Sequence, residues 1–152
     1  MNKNTRRYIK RPRLPGYDYS SPSAYMVTID TNQRLPLFKN AELRAVLKEV
    51  WRGLPDRFPA VKLDMLVILA DHLHTILWLD AEAETRPLLG EVIRVFKAKV
   101  SVKWTQQTGR ATRIWQRNYH DRIVRDERHL QRVRQYVYNN PLKHTLKNRG
   151  FE

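Results

Sequence analysis

"VKLDMLVILADHLHTILWL", residues 61–79, holds two apolar runs separated only by Ala70 and Asp71. Two strand-like runs joined by so short a polar link read as a β-hairpin. The second run carries His72 and His74, one residue apart. Residues i and i+2 of a strand share a face, so the two imidazoles are expected to converge on one side of the sheet.

Outward from the hairpin, the remaining elements follow from periodicity. "AYMVTID", 24–30, alternates and predicts a first strand. "NAELRAVLKEVWRGL", 40–54, has Asn40 as N-cap, Leu43, Val46, Leu47, Val50 and Leu54 at helical spacing, and Gly53 near its end. "LLGEVIRVFKAKVSVKW", 88–104, places Leu89, Val92, Ile93, Phe96 and Val100 on one stripe and predicts a second helix. "TRIWQRNYHDRIV", 112–124, reads as a fourth strand with a bend. Asp126 caps a third helix over "ERHLQRVRQYVYNN", with Leu130, Val133 and Val137 buried and Pro141 expected to end it. Strand, helix, strand, strand, helix, strand, helix predicts an α+β fold. The first six elements spell a ferredoxin-like βαββαβ sandwich, and the third helix is added at the C-terminal end. In that topology the first and third strands are central, which puts the histidines mid-sheet.

The chain reads as a single domain over 1–152, with no internal repeat. Residues 1–23 form an irregular basic arm punctuated by Pro12, Pro15, Gly16 and Pro22. With no cysteine, disulfides, iron–sulfur clusters and thiolate zinc sites are excluded. No apolar run approaches the length of a membrane span and the N-terminus lacks an apolar export core, so a soluble, cytoplasmic protein with no membrane partner is expected. The net charge is +14. Residues 1–13 contain six bases and no acid, and Val92 to His120 contain seven, again with no acid. Such stretches attract a polyanion and release its counterions, which makes nucleic acid the first partner to expect.

Two neutral imidazoles on one face can bind a cation and leave positions open for a third protein ligand, water and a phosphate oxygen. The spacing alone equally allows two histidines satisfied by hydrogen bonds beside a core. Ile76 excludes two rival metal motifs, one needing a third histidine and the other an aspartate at that position. Tyr136 and Asn140 lie one turn apart on the last helix, bordering its apolar stripe. An Asn oxygen can ligate a hard cation. A half-buried tyrosine and an Asn before Pro are also ordinary helix features, and spacing leaves that choice open.

"HLH" after a hairpin turn, "IWQRNYHDRIVRDE" and "QYVYNNPLKH", in that order, resemble the HUH-type single-tyrosine transposases of bacterial insertion sequences. "RLPGYDYSSPSAYMVTIDTNQRLPLF" resembles the opening of their REP-associated tyrosine transposase branch, so the similarity covers most of residues 13–146. The resemblance implies that His72 and His74 bind Mg²⁺ or Mn²⁺, that Tyr136 is the nucleophile, and that Asn140 is the third ligand. It also implies cleavage and strand transfer of single-stranded, hairpin-forming DNA through a 5′-phosphotyrosine. Ala70-Asp71 departs from the Pro-Asn or Pro-Asp usual in that family, a change in the turn that removes no ligand.

In such a protein Arg6, Arg7, Lys10, Arg11 and Arg13 of the arm, with Lys97, Lys103, Arg113 and Arg117, would track phosphates, and Trp115 would stack a base. A nucleoid-associated monomer or homodimer is expected. Two alternatives stand beside it: a structured single-strand-binding protein that does not cut, and a metal nuclease using water with Tyr136 structural. Tyr119 and Tyr138 are the fallback nucleophiles; Tyr138 lies about 200° around the helix from Tyr136.

Overall fold

The computed structural model describes the backbone of residues 15–148 and the side chains of 15–139. Three elements fall where their patterns predict. Strand β1 is Ala24–Asp30, strand β2 is Val61–Ile68 and strand β3 is His72–Leu79. Helix α1, Ala41–Arg52, is capped by Asn40, whose side-chain oxygen accepts from the backbone N–H groups of Glu42 and Leu43. A single helical turn, Leu54–Arg57, follows it. Helix α2 is Leu89–Thr108, ended by Gly109 at φ 72°, a left-handed conformation in which glycine carries no Cβ penalty.

The strands form one antiparallel sheet in the order β2-β3-β1-β4, where β4 is His120–Val124. β1 and β3 are therefore the central pair. β4 is shorter than its alternation suggests. Residues 112–119 instead form a loop, touching β1's end through the single bridge Thr31 to Trp115 and turning at Asn118 with φ 69°. Their apolar residues are buried from that loop: Ile114, Trp115 and Tyr119 all enter the core.

Alternation along β1 and β3 sorts side chains to two faces. On one face Tyr25, Val27, Ile29, Leu73, Leu77 and Leu79 join α1 and α2 in the main core. On the other, Ala24, Met26, Ile76 and Val124 meet Leu130, Val133 and Val137 of helix α3, Glu127–Asn148. Asp126 caps α3 by accepting from the N–H of His129 at 2.7 Å. The helix does not stop at Pro141; it continues to Asn148. A proline removes one intrahelical bond and crowds the preceding turn, a local cost that does not end the helix here.

A bulge between Leu63 and Met65 turns Asp64 toward α3. Its carboxylate accepts from Trp78 Nε1 at 3.0 Å and from Arg134 Nε at 3.1 Å. Burial opposes ionisation of Asp64, but the Arg134 and Trp78 hydrogen bonds hold its carboxyl below the usual aspartate range. Among the described residues α3 is thus attached by a small apolar stripe and one ion pair. Leu130→Ala, which truncates the largest side chain of that stripe, is expected to cost about 2–5 kcal/mol in urea denaturation.

Candidate functional site

The register aligns Val67, His74, Thr28 and His120 in one row across β2, β3, β1 and β4. Asp30 faces His72 in the neighbouring pair. All of these lie on the α3 side of the sheet, just beyond the rows that the apolar stripe of α3 covers. His72 and His74 converge as their spacing predicts, with ring centroids 4.9 Å apart.

Both imidazoles are oriented through Nδ1. His72 Nδ1 lies 2.6 Å from Asp71 Oδ1, and His74 Nδ1 lies 2.8 Å from Thr28 Oγ1. An N–H donated to the carboxylate leaves the other nitrogen, Nε2 of His72, as the lone-pair atom. Burial, and after it the neighbouring His72, push the pKa of His74 down to about 4, while Asp30 opposes them. His74 is therefore a neutral imidazole at pH 7. Although burial works against it, Asp71 is held below its usual value by the His72 bond and by Arg34.

The loop after β1 clasps the hairpin turn. Thr31 N and Oγ1 both donate to the Asp71 carbonyl, at 2.9 and 3.0 Å, and Phe38 N donates to the Ala70 carbonyl at 2.9 Å. These bonds hold the Ala70-Asp71 turn without a proline. In the same loop Gln33 and Arg34 adopt left-handed backbones at φ 55° and 56°, a conformation that costs a non-glycine residue roughly 1–2 kcal/mol. The Arg34 guanidinium there lies 3.2 Å from Asp71 and 3.6 Å from Asp30. Asp30 is only 4% exposed, and its other oxygen lies 4.0 Å from His120 Nε2.

Tyr136 meets this cluster from above. Its ring stands edge-on to His74 with centroids 6.2 Å apart, and the residue is 48% exposed. The fallback tyrosines are placed differently: Tyr119 is buried and Tyr138, at 71% exposure, lies around the helix toward solvent. The side chain of Asn140 lies outside the described residues, as do Arg6, Arg7, Lys10, Arg11 and Arg13. Among the described residues no group of three or more His, Asp or Glu side chains forms a metal cluster. The two oriented imidazoles fit a divalent ion that an amide oxygen and water would complete.

The basic segment divides. Arg113 and Arg117 are exposed. Lys97 donates to the Gln116 and Asn118 carbonyls at 2.9 and 2.8 Å, bracing the loop, and Lys103 pairs with Glu49. Trp115 is 9% exposed, packed between Phe38 and Phe96, with its indole N–H donated to the Lys97 carbonyl. Its ring has no open face for a base, and the stacking role expected of it does not fit that position. Sequence reasoning missed Thr28, Asp30, Arg34 and His120. The "TID" and "NYH" segments carried Thr28, Asp30 and His120, which only the register brings to the histidines, and Arg34 reaches them from the loop after β1.

Among the described residues no helix is long and apolar enough to cross a membrane. A prediction follows for the metal-free protein. Since the folded state keeps His74 neutral down to about pH 4 while the unfolded chain takes up the proton near 6.5, stability is full above 6.5 and falls as pH drops toward 4. Melting curves with chelator should show that loss between pH 6.5 and 4, and His74→Asn should shrink it.

No family profile matches the chain. An uncharacterised protein of Haemophilus influenzae is 29% identical over 156 residues, covering 86% of each chain. A second protein of that organism, provisionally named a REP-associated tyrosine transposase, is 24% identical over 84% of this chain and 74% of its own. Among solved structures, a REP-associated tyrosine transposase bound to a REP hairpin superposes with a TM-score of 0.68 at 21% identity, over 87% of this chain and 73% of that one. A protein of Deinococcus radiodurans provisionally described as a transposase gives 0.55 at 16% identity, over 84% and 97%. By sequence the chain is similar to a protein named for the REP-associated tyrosine transposases, and it shares the fold of one that has been solved.

Proposed function

We propose that this protein is a metal-dependent transposase that cuts and rejoins single-stranded DNA at hairpin-forming repeats, using Tyr136 as nucleophile on a ferredoxin-like sandwich. The observation that carries the reading is the seating of half-exposed Tyr136 against His74, beside a second histidine oriented by a carboxylate. The relative solved with a REP hairpin supports the choice of DNA.

His72, His74 and Asn140 would hold Mg²⁺ or Mn²⁺. When bound, such an ion polarises the scissile phosphate and stabilises the charge that develops on it. Tyr136 Oη attacks phosphorus, the P–O3′ bond breaks, and the phenolic proton is given up as the departing 3′-oxygen takes one. The products are a 5′-phosphotyrosine on Tyr136 and a free 3′-hydroxyl. Reversal by another 3′-hydroxyl rejoins the strand and regenerates the tyrosine. Asp71 and Thr28 fix the two rings, and α3 holds the phenol at its post. Arg113 and Arg117, with the bases of the arm, would contribute to the electrostatic attraction.

The test is a labelled hairpin oligonucleotide with a single-stranded flank, incubated with Mn²⁺ and run on a denaturing gel. A covalent protein–DNA adduct is expected from the native sequence and its loss in Tyr136→Phe. Cleavage surviving that change would make water the nucleophile, and binding without cleavage would make this a non-cutting single-strand-binding protein. Asp71→Asn should weaken Mn²⁺ binding by about 10–100-fold, read by Mn²⁺ electron paramagnetic resonance, while leaving DNA binding in place.

A further inference from the structure

The two flanks of α3 are unlike. One carries Arg134, committed to Asp64 and beside Trp78. The other carries Tyr136 and, one turn earlier, Arg132. At 100° per residue the two differ by only about 40° around the helix, so Arg132 stands on the tyrosine's side. Arg132 is exposed and has no acidic partner among the described residues.

Beneath that flank runs the row Val67, His74, Thr28 and His120, which ends at the edge strand β4. Arg122 is two residues beyond His120 and therefore on the same sheet face, opposite Met26. It too is exposed and without an acidic partner among the described residues. Asp121, between them, pairs with Val27 and points to the other face.

The other approaches to Tyr136 are less favourable to a polyanion. At the β2 end the row closes on apolar Val67. Past His72 stand the Asp30 and Asp71 carboxylates, with one arginine, Arg34, between them. Among the described residues the β4 side offers two exposed arginines without acidic partners, and the Asp30 carboxylate nearest to it is buried and held by Arg34.

We propose that the DNA strand reaches Tyr136 across the β4 edge, its backbone phosphates held by Arg132 and Arg122. This rests on the reading of the site as a single-stranded DNA site, and it fixes the path of the strand. Neither residue belongs to the arm or to the 92–120 segment.

The test measures binding, which needs no cutting. Fluorescence anisotropy of a hairpin with a single-stranded flank, titrated with the full chain at several salt concentrations, gives the slope of log affinity against log salt. Arg132→Ala and Arg122→Ala should each reduce that slope by about one phosphate contact, 0.7–0.9, and the double variant by about twice that. Lys48→Ala and Arg52→Ala, on α1 across the sheet, control for net charge and should change it less. A double variant with native slope and affinity, or an equal loss in the α1 variants, overturns the proposed path. The adduct gel on the native chain tests the chemistry separately: no adduct together with a slope lost only at Arg132 and Arg122 keeps the path and discards the reaction.

Discussion

The pairing of β1 with β3 is the constraint on which the other features depend. Because strand side chains alternate, a slip of one residue would exchange the two faces of β3 relative to β1. Leu73 and Leu77 would turn from the main core toward α3, and His72 and His74 would enter a core with neither Asp71 nor Thr28 to meet them. Two buried imidazoles without hydrogen-bond partners would carry a desolvation penalty of several kcal/mol. The register is pinned at the turn by Thr31 and Phe38 and mid-strand by the Thr28–His74 bond. The contacts that place the histidines are therefore also contacts that choose the fold.

The sheet divides its work unequally. The α1 and α2 face carries most of the apolar burial, so stability rests chiefly there. Among the described residues the α3 face has a smaller apolar patch, and beyond it lie polar side chains. His74 and His120 share one row, His72 and the buried Asp30 carboxylate the next, with a strained arginine loop beside them, features that cost stability and that the large core on the opposite face can support.

Most of the fold was legible because its elements were periodic and cleanly punctuated. Asn40 and Asp126 marked helix starts through side chains that do cap them, and Ala70-Asp71 left room only for a hairpin. The fourth strand was overdrawn because alternation records burial, and here a loop buries Ile114, Trp115 and Tyr119 without strand pairing. Pro141 was read as a stop because a single sequence shows the local cost of a proline and not what lies on either side of it. Within the site, His72, His74 and Tyr136 were visible as residue types in a pattern. Asp30, Thr28 and His120 were not, since their meaning comes from partners on other strands. Lys97 and Lys103 show the converse limit: charge is written in the sequence, but whether a carbonyl or a glutamate already engages it is decided by packing.

The slender attachment of α3 bears on what a damaged molecule can do. Among the described residues Tyr136 belongs to a helix fastened by a short apolar stripe and the Arg134–Asp64 pair, while the histidines belong to a central strand of the sheet. Heat or proteolysis that frees the helix would part Tyr136 from His74 while the sheet still stands. Under the proposed chemistry such an order of failure is a safeguard, because a partly unfolded molecule would have lost its means of cutting.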